Sequence, residues 1–528
     1  MSKIVRLQST VAGGAIIIAL FSIFSRLIGL LRDRLLSASF GAGQVLDSYY
    51  AAFRLPDLVF NTLILGAFSS AFIPIFLEYF SRDKKEAWRI TNSILNLLSL
   101  IILFFIVILF IVSPMAVEIM VSGFSEAAKS LTVSLTRIML VSVMFFTFSN
   151  VIGSVLNSFR RFLAYSLAPV MYNLGIIFGV LFLTKTSLGP KGLAWGVVLG
   201  SFLHFLIQIP SLWRTGYKWK PFLELTHPAL KRIIKLMLPR CFALAINQFN
   251  FIVVTFVAST ITIGAVAIYN LAFNLVNFPV GIFGISLAVS IFPLLSQNFV
   301  EGRRDAFGKD FSKTIRQILY LVIPFTVLFI ALRAQVVRLI LGSGNFSWRD
   351  TVLTAQTLGW FSLSLFAQSL IPVFARAFYA VQDTRTPVKI ALFSFLINIV
   401  GCVVLGPLIG VAGLAASFSL ASLINFVLLY FVFHKKVMPL ENGKIGKAVL
   451  KIVGNSLLMA VAIQLAKYQI ASLVNMQTFA GVLIQTVLAV VIGGSFYFTA
   501  SLFWRFEEVN FIREFISRKL KSMRAKNK

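Results

Sequence analysis

Residues that bind metals or close disulfides are scarce in this chain. Two cysteines, Cys241 and Cys402, and three histidines, His204, His227 and His434, are spread over 528 residues. Neither cysteine belongs to a CxxC or Cys/His cluster, so a disulfide framework and a zinc site are not expected, and no metal or cofactor is assigned. Acidic residues are few as well: 18 against 48 lysines and arginines, a net charge of +30. The chain has no GxSxG, HExxH or P-loop pattern, and no paired carboxylates lie inside its apolar runs. An enzyme or an ATP hydrolase therefore finds no support. Charge of either sign makes up only 12% of the residues, against 58% hydrophobic. The mean hydropathy is +0.91.

No soluble interior can hide so much apolar surface. Lipid is the solvent for much of the chain, and backbone groups in lipid must pair within the protein, as helices or closed barrels. The runs are unbroken rather than alternating, which selects helices. With about 20 apolar residues per crossing, spans are expected near 12–34, 45–66, 91–113, 131–156, 163–184, 191–213, 236–259, 264–291, 315–333, 353–378, 387–406, 410–433, 447–467 and 480–504. The first run, Val11 to Leu31, is too long for a signal-peptide core and is interrupted by Arg26, so it reads as a retained span.

The basic residues cluster in short loops. Arg82, Lys84, Lys85 and Arg89 follow the second span, and Arg160 and Arg161 the fourth. Arg214, Lys218, Lys220, Lys231, Arg232 and Lys235 follow the sixth. Arg303, Arg304, Lys309 and Lys313 follow the eighth, and Lys435, Lys436, Lys444 and Lys447 the twelfth. The tail from Arg513 to Lys528 is basic too, whereas Ile261–Gly264 and Gly406–Gly410 carry no charge. This asymmetry places both termini in the cytoplasm. It also reads the +30 as contact with anionic lipid headgroups rather than nucleic acid.

The chain repeats itself. Tyr49, Ala52, Phe53 and Leu55 recur as Tyr269, Ala272, Phe273 and Leu275; Pro74, Phe80 and Ala87 as Pro293, Phe299 and Ala306. Pro169-Val170 returns as Pro387-Val388, and Gly192-Leu193-Ala194 as Gly413-Leu414-Ala415. The expected fold is all-α and integral to the membrane. It has about fourteen helices: two six-helix lobes related by a pseudo-twofold axis (1–220 and 221–437), then two further helices and a basic tail (438–528). Parallel duplication of this kind is a transporter plan, with lobes that rock about a shared cavity.

Ionisable residues inside a span are costly and usually paired or functional. The first span holds Ser25, Arg26, Gly29, Arg32, Asp33 and Arg34. At 3.6 residues per turn, Arg26, Gly29 and Asp33 share a face, with Ser25 and Arg32 at its edges. Asp47 and Arg54 follow in the second span. One reading is structural: Arg34 ends the helix at the headgroups, and Arg26 pairs with Asp33 or Asp47. The other is an anion site, since Arg binds phosphate in bidentate fashion and keeps its charge when desolvated. The second copy has amides instead: Asn270, Asn274 and Asn277 in the eighth span and Asn398 in the eleventh. These join helices by hydrogen bonds or line a polar cavity that accepts sugar hydroxyls.

The block Ser25-Arg26-x-x-Gly29-x-x-Arg32-Asp33 resembles the MurJ (MviN) lipid II flippases of the MOP exporter superfamily. So do Phe40-Gly41-Ala42-Gly43-x-x-x-Asp47, Phe53-Arg54-Leu55-Pro56 and Gly66-Ala67-Phe68-Ser69-x-Ala71-Phe72-x-Pro74. Phe278-Pro279-x-Gly281-x-x-Gly284 and Thr386-Pro387-Val388-Lys389-Ile390-Ala391 are similar to the family's second-lobe motifs. The resemblance implies transport of a lipid-linked peptidoglycan precursor from the inner to the outer leaflet of the bacterial cytoplasmic membrane by alternating access. It implies a polyprenyl-diphosphate-linked glycan lipid as ligand, surrounding membrane lipids, and cell-wall synthesis machinery as partner. It assigns Arg26, Arg32 and Arg54 to the diphosphate, with Ser25, Gly29, Asp33 and Asp47 in support, and the amides Asn274 and Asn277 are expected to add to the cavity. It places the polyprenyl tail along the spans near 447–467 and 480–504. Where the family carries an Asp-Arg pair in the eighth helix, this chain has Phe273 and Asn274. The alternatives are a flippase for another polyprenyl-linked glycan, a multidrug exporter of the same superfamily, and a non-transporting scaffold with a degenerate site.

Overall fold

The computed structural model describes residues 11–65 and 68–509. Lys3, Arg6, Gly66, Ala67 and the basic tail from Arg513 lie outside them. Among the described residues the chain is helical, with no strand. In chain order the helices are α1 Val11–Phe40, α2 Gln44–Ala52, α3 Arg54–Phe60, α4 Phe68–Arg82, α5 Lys84–Met120, α6 Glu126–Ser158, α7 Phe162–Leu181, α8 Lys191–Leu206, α9 Ile209–Trp213 and α10 Pro228–Ile261. They continue as α11 Ala265–Pro279, α12 Ser286–Val300, α13 Arg304–Ala331, α14 Arg333–Ile340, α15 Trp348–Ser362, α16 Leu365–Ala380, α17 Arg385–Ile409, α18 Val411–Val432, α19 Asn442–Ala471 and α20 Phe479–Phe503. Short π-helical segments, Asn61–Leu65 and Val280–Ile285, lead into α4 and α12.

Among the described residues, eleven helices are long and apolar enough to cross a membrane, or twelve if the bent pair α15–α16 is one span. This is a multi-pass membrane protein, although the expected count of fourteen is not reproduced. The first two expected spans account for the difference. α1 covers the first as one continuous helix of 30 residues, with Arg26, Arg32, Asp33 and Arg34 in its second half. The second is divided into α2, α3 and the π segment. Pro56 explains the division, because proline removes an amide donor and its ring crowds the carbonyl four residues back. That carbonyl, Ala52 O, instead accepts from Thr136 Oγ1 at 3.4 Å.

The chain forms two compact units. The first runs to Asn270 and includes Ile340–Asp350; the second comprises Leu271–Leu339 and the chain from Thr351 onward. In the first unit, α1 packs along α7, and α7 along α8. Glycines permit the second contact: a Cβ on Gly179 would lie 2.6 Å from Gly196 Cα. Small residues let membrane helices approach this closely. The segment 340–350 is tied to the end of α1, where Ser37 Oγ donates to Leu341 O (3.0 Å) and Asn345 N to Ala38 O (2.8 Å).

One end of the first unit gathers basic loops. Arg232 pairs with Glu78 (2.9 Å), Arg89 with Glu224 (3.2 Å), and Arg161 donates to the Arg214 carbonyl (3.1 Å). In the second unit, α13 packs against α19, and α19 against α20. Asn455 Nδ2 ties the last pair by donating to Tyr497 O (2.9 Å) and Ser501 Oγ (3.0 Å). A cavity of about 490 Å³ in this unit is lined by Leu319, Phe366, Phe426, Val427, Val449 and Val453 among others.

Candidate functional site

The charged face of α1 meets α7 at Asn173. Arg32 Nη1 donates to Asn173 Oδ1 at 3.0 Å. Asn173 Nδ2 reaches Ser25 Oγ at 3.4 Å and the Pro169 carbonyl at 3.0 Å. A Cβ at Gly29 would stand 3.8 Å from Asn173 Oδ1. Ser25, Gly29 and Arg32 are spaced four and three apart, so they form one stripe along the helix. This stripe, one step round from the expected Arg26–Gly29–Asp33 face, is the one that Asn173 contacts.

Asp33 completes the group. Its Oδ1 accepts from Arg32 Nε (3.0 Å) and Nη2 (2.7 Å). The Asp33 side chain is 4% exposed and that of Arg32 is 20% exposed. Taking an ion out of water costs several kcal/mol unless it is paired and hydrogen-bonded, which accounts for both partners of Arg32. A guanidinium has five N–H donors, and these three contacts hold Arg32 in place with donors to spare. Arg26 lies nearly two turns from Arg32 on the same helix and is half-buried.

Asp47 takes another role. Its carboxylate accepts from the Gly264 amide (2.5 Å) and the Ala267 amide (2.8 Å). These are among the amides left open at the start of α11, where a carboxylate is also favoured by the helix dipole. The turn requires glycine: Gly264 has φ +89°, and a side chain there would meet the Ala42 carbonyl. Asp47 is thus a cap supplied from α2, 1% exposed and occupied by backbone donors.

Arg54 is 8% exposed. Its Nε donates to Thr255 Oγ1 at 2.8 Å and its Nη2 to Asn270 Oδ1 at 2.7 Å. The guanidinium lies 5.2 Å from the centre of the Phe251 ring, a cation–π contact. Arg54 therefore links α3 to α10 and α11 inside the first unit. Asn274 and Asn277 belong to the second unit; Asn277 Nδ2 returns to its own helix at Phe273 O (3.0 Å).

Sequence reasoning missed Asn173 and Thr255. Asn173 carried a usable signal, being a lone amide within the apolar run of α7, the kind of residue that bridges membrane helices. Thr255 carried none, because a threonine in a helix commonly bonds its own backbone, as Thr255 Oγ1 also does to Phe251 O (2.7 Å). Among the described residues, no group of three or more His, Cys, Asp or Glu side chains could hold a metal ion. Both cysteines are buried and free. What the first unit offers is a fixed, partly exposed guanidinium on a membrane helix with a second arginine on the same helix, which suits an anion.

Residues 36–509 match the family model for the lipid II flippase MurJ. A lipid II flippase MurJ of Burkholderia cenocepacia is 29% identical over 451 residues, covering 83% of this chain and 87% of that protein. A solved structure of lipid II flippase MurJ in an inward closed conformation superposes with a TM-score of 0.78 at 26% identity, over 93% of this chain and 99% of that one. An inward-facing MATE multidrug transporter of the MOP superfamily superposes with a TM-score of 0.66 at 14% identity, over 80% and 95% of the two chains. At that identity the likeness is one of fold alone.

Proposed function

The chain belongs to the lipid II flippase MurJ family, and from that premise we propose that it carries lipid II from the inner to the outer leaflet of a bacterial cytoplasmic membrane. The observation that carries the site assignment is Arg32, anchored by Asp33 and Asn173 while a fifth of its side chain stays exposed. A diphosphate crossing lipid needs cations that stay charged in a dry setting, and guanidinium meets that need with paired N–H donors.

In this reading Arg32 and Arg26 receive the diphosphate. Asp33, Asn173, Ser25 and Gly29 hold Arg32 ready. Asp47 and Arg54 act at one remove, by tying α2 to the start of α11 and α3 to α10 and α11. Asn274 and Asn277 offer amides to the sugar hydroxyls. The polyprenyl tail remains in lipid, and the apolar cavity lined by Leu319, Phe426 and Val449 supports a tail path in the second unit. Transport proceeds by alternating access. The gathered basic loops support a cytoplasmic location for that end and for both termini. Cell-wall synthesis proteins are the expected partners on delivery.

The test is complementation of a flippase-depleted strain. Arg26→Ala and Arg32→Ala, each inserted in the membrane at normal level, should fail to restore growth. Transport of labelled lipid II in vesicles should fall at least tenfold, the minimum expected for losing one charge-assisted contact of about 1.5–3 kcal/mol. Normal growth with both changes would remove the anion site from the mechanism.

A further inference from the structure

At the basic end of the first unit, a second cavity of about 680 Å³ opens between α5, α6, α9 and the segment that follows α9. Its floor is apolar and buried: Leu95, Ile152 and Leu212. Two exposed tryptophans, Trp213 and Trp219, stand at its rim. The rim carries one cation, Lys218, with two more beside it in sequence. Trp213 to Lys220 reads Trp-Arg-Thr-Gly-Tyr-Lys-Trp-Lys, three cations and no acid, and Arg214, Lys218 and Lys220 are all exposed. The neighbouring carboxylates Glu224 and Glu86 are occupied, by Arg89 and His227, each at 3.2 Å.

The rim is built rather than loose. Asn92 and Asn96, one turn apart on α5, hold the segment through its backbone and side chains. Asn92 Oδ1 accepts from Tyr217 OH (2.6 Å) and Lys220 N (3.2 Å), and Asn92 Nδ2 donates to Lys218 O (3.2 Å). Asn96 Oδ1 accepts from Trp219 Nε1 (3.1 Å), and its Nδ2 donates to the Lys220 and Phe222 carbonyls, each at 2.9 Å. Arg161 adds its bond to the Arg214 carbonyl.

We propose that this cavity is a binding site for one anionic diacyl phospholipid of the leaflet on the basic side, with an acyl chain against Leu95, Ile152 and Leu212 and the phosphate at Arg214, Lys218 and Lys220. The volume lies in the range of about 300–1,000 Å³ that holds small ligands. Tryptophan belongs at headgroup depth, with its ring in the apolar zone and its N–H at the wet edge. Cations beside a membrane attract anionic headgroups by about 1 kcal/mol each. No residue assigned to the transported lipid takes part, so the site stands apart from the transport reading.

The experiment uses the full chain in detergent, titrated with phosphatidylglycerol, phosphatidylcholine or a polyprenyl diphosphate and read by native mass spectrometry. One phosphatidylglycerol should stay bound where phosphatidylcholine does not, and an equimolar polyprenyl diphosphate should not displace it. The exposed-residue variant Arg214→Gln/Lys218→Gln/Lys220→Gln should bind it on the order of a hundredfold more weakly. Ile209→Trp, which fills the cavity, should also weaken it, with folding checked by thermal stability. Arg32→Ala should leave it unchanged, which separates this site from the transport site. Equal retention of the two phospholipids, displacement by the polyprenyl diphosphate, or an unaffected triple variant would each overturn the proposal.

Discussion

The stretch from Gln44 to Arg82 and its repeat from Gly264 to Val300 are two solutions to one local problem. Both pass through a π-helical segment, Asn61–Leu65 in one and Val280–Ile285 in the other, and then a helix containing a proline, Pro74 or Pro293. They part upstream. Phe53-Arg54-Leu55-Pro56-Asp57 stands where the second copy has Phe273-Asn274-Leu275-Val276-Asn277. Pro56 divides the first copy into α2 and α3, whereas Val276 keeps its amide and α11 runs unbroken for 15 residues. The charged copy sends its side chains outward, Asp47 to the start of α11 and Arg54 to Thr255 and Asn270. In the neutral copy Asn277 bonds its own backbone. A buried charge must be answered by partners from other helices, while an amide can be answered locally. In the first copy the charges tie α2 and α3 to α10 and α11.

The largest expected effect comes from imposing the neutral pattern on the charged copy. Arg54→Asn/Asp57→Asn should lose about 3 kcal/mol, as Asn270 and Thr255 lose their buried donor, and should fail in complementation. Wild-type denaturant resistance and growth would strip the comparison of energetic content. Next is Asp47→Ala, which places alanine where the second copy has Ala267. It should cost about 2 kcal/mol, read by unfolding in mixed micelles, because the Gly264 and Ala267 amides become unsatisfied. A loss near zero would mean that α11 needs no cap from α2.

A smaller effect isolates the proline. Thr136→Val should cost about 1 kcal/mol in the natural chain and almost nothing with Pro56→Val, where the residue-56 amide can serve the Ala52 carbonyl. Additive losses in this double-mutant cycle would separate the threonine from the break. Smallest is Asn277→Ala in the neutral copy, expected below about 1 kcal/mol by the same assay. A loss as large as that from Asp47 would erase the contrast between the copies.

Much of this molecule was open to reading along the chain. Apolar run length marked most of the membrane helices, because a span must be long and continuous whatever it packs against. The second expected span resisted that reading, because Pro56 divides it between Ala52 and Asn61. The α1 block was legible as a polar stripe, since helical periodicity is a local property. Which part of it faces a neighbour was not, and Asn173 set that choice at 25, 29 and 32.

Composition and order along the chain determined that this is a duplicated, helical membrane protein with rare intramembrane charges in its first copy. Hydropathy, periodicity and recurrence are carried by near neighbours in sequence and need no knowledge of packing. Only the tertiary structure decided what those charges do. Asp47 meets a helix start 217 to 220 positions away, and Arg54 meets Thr255 and Asn270 from 201 and 216 positions away. Arg32 is held across to α7 by Asn173 while staying partly exposed. The role of a buried charge is set by the donors and acceptors that converge on it through space, and one-dimensional order does not specify that convergence.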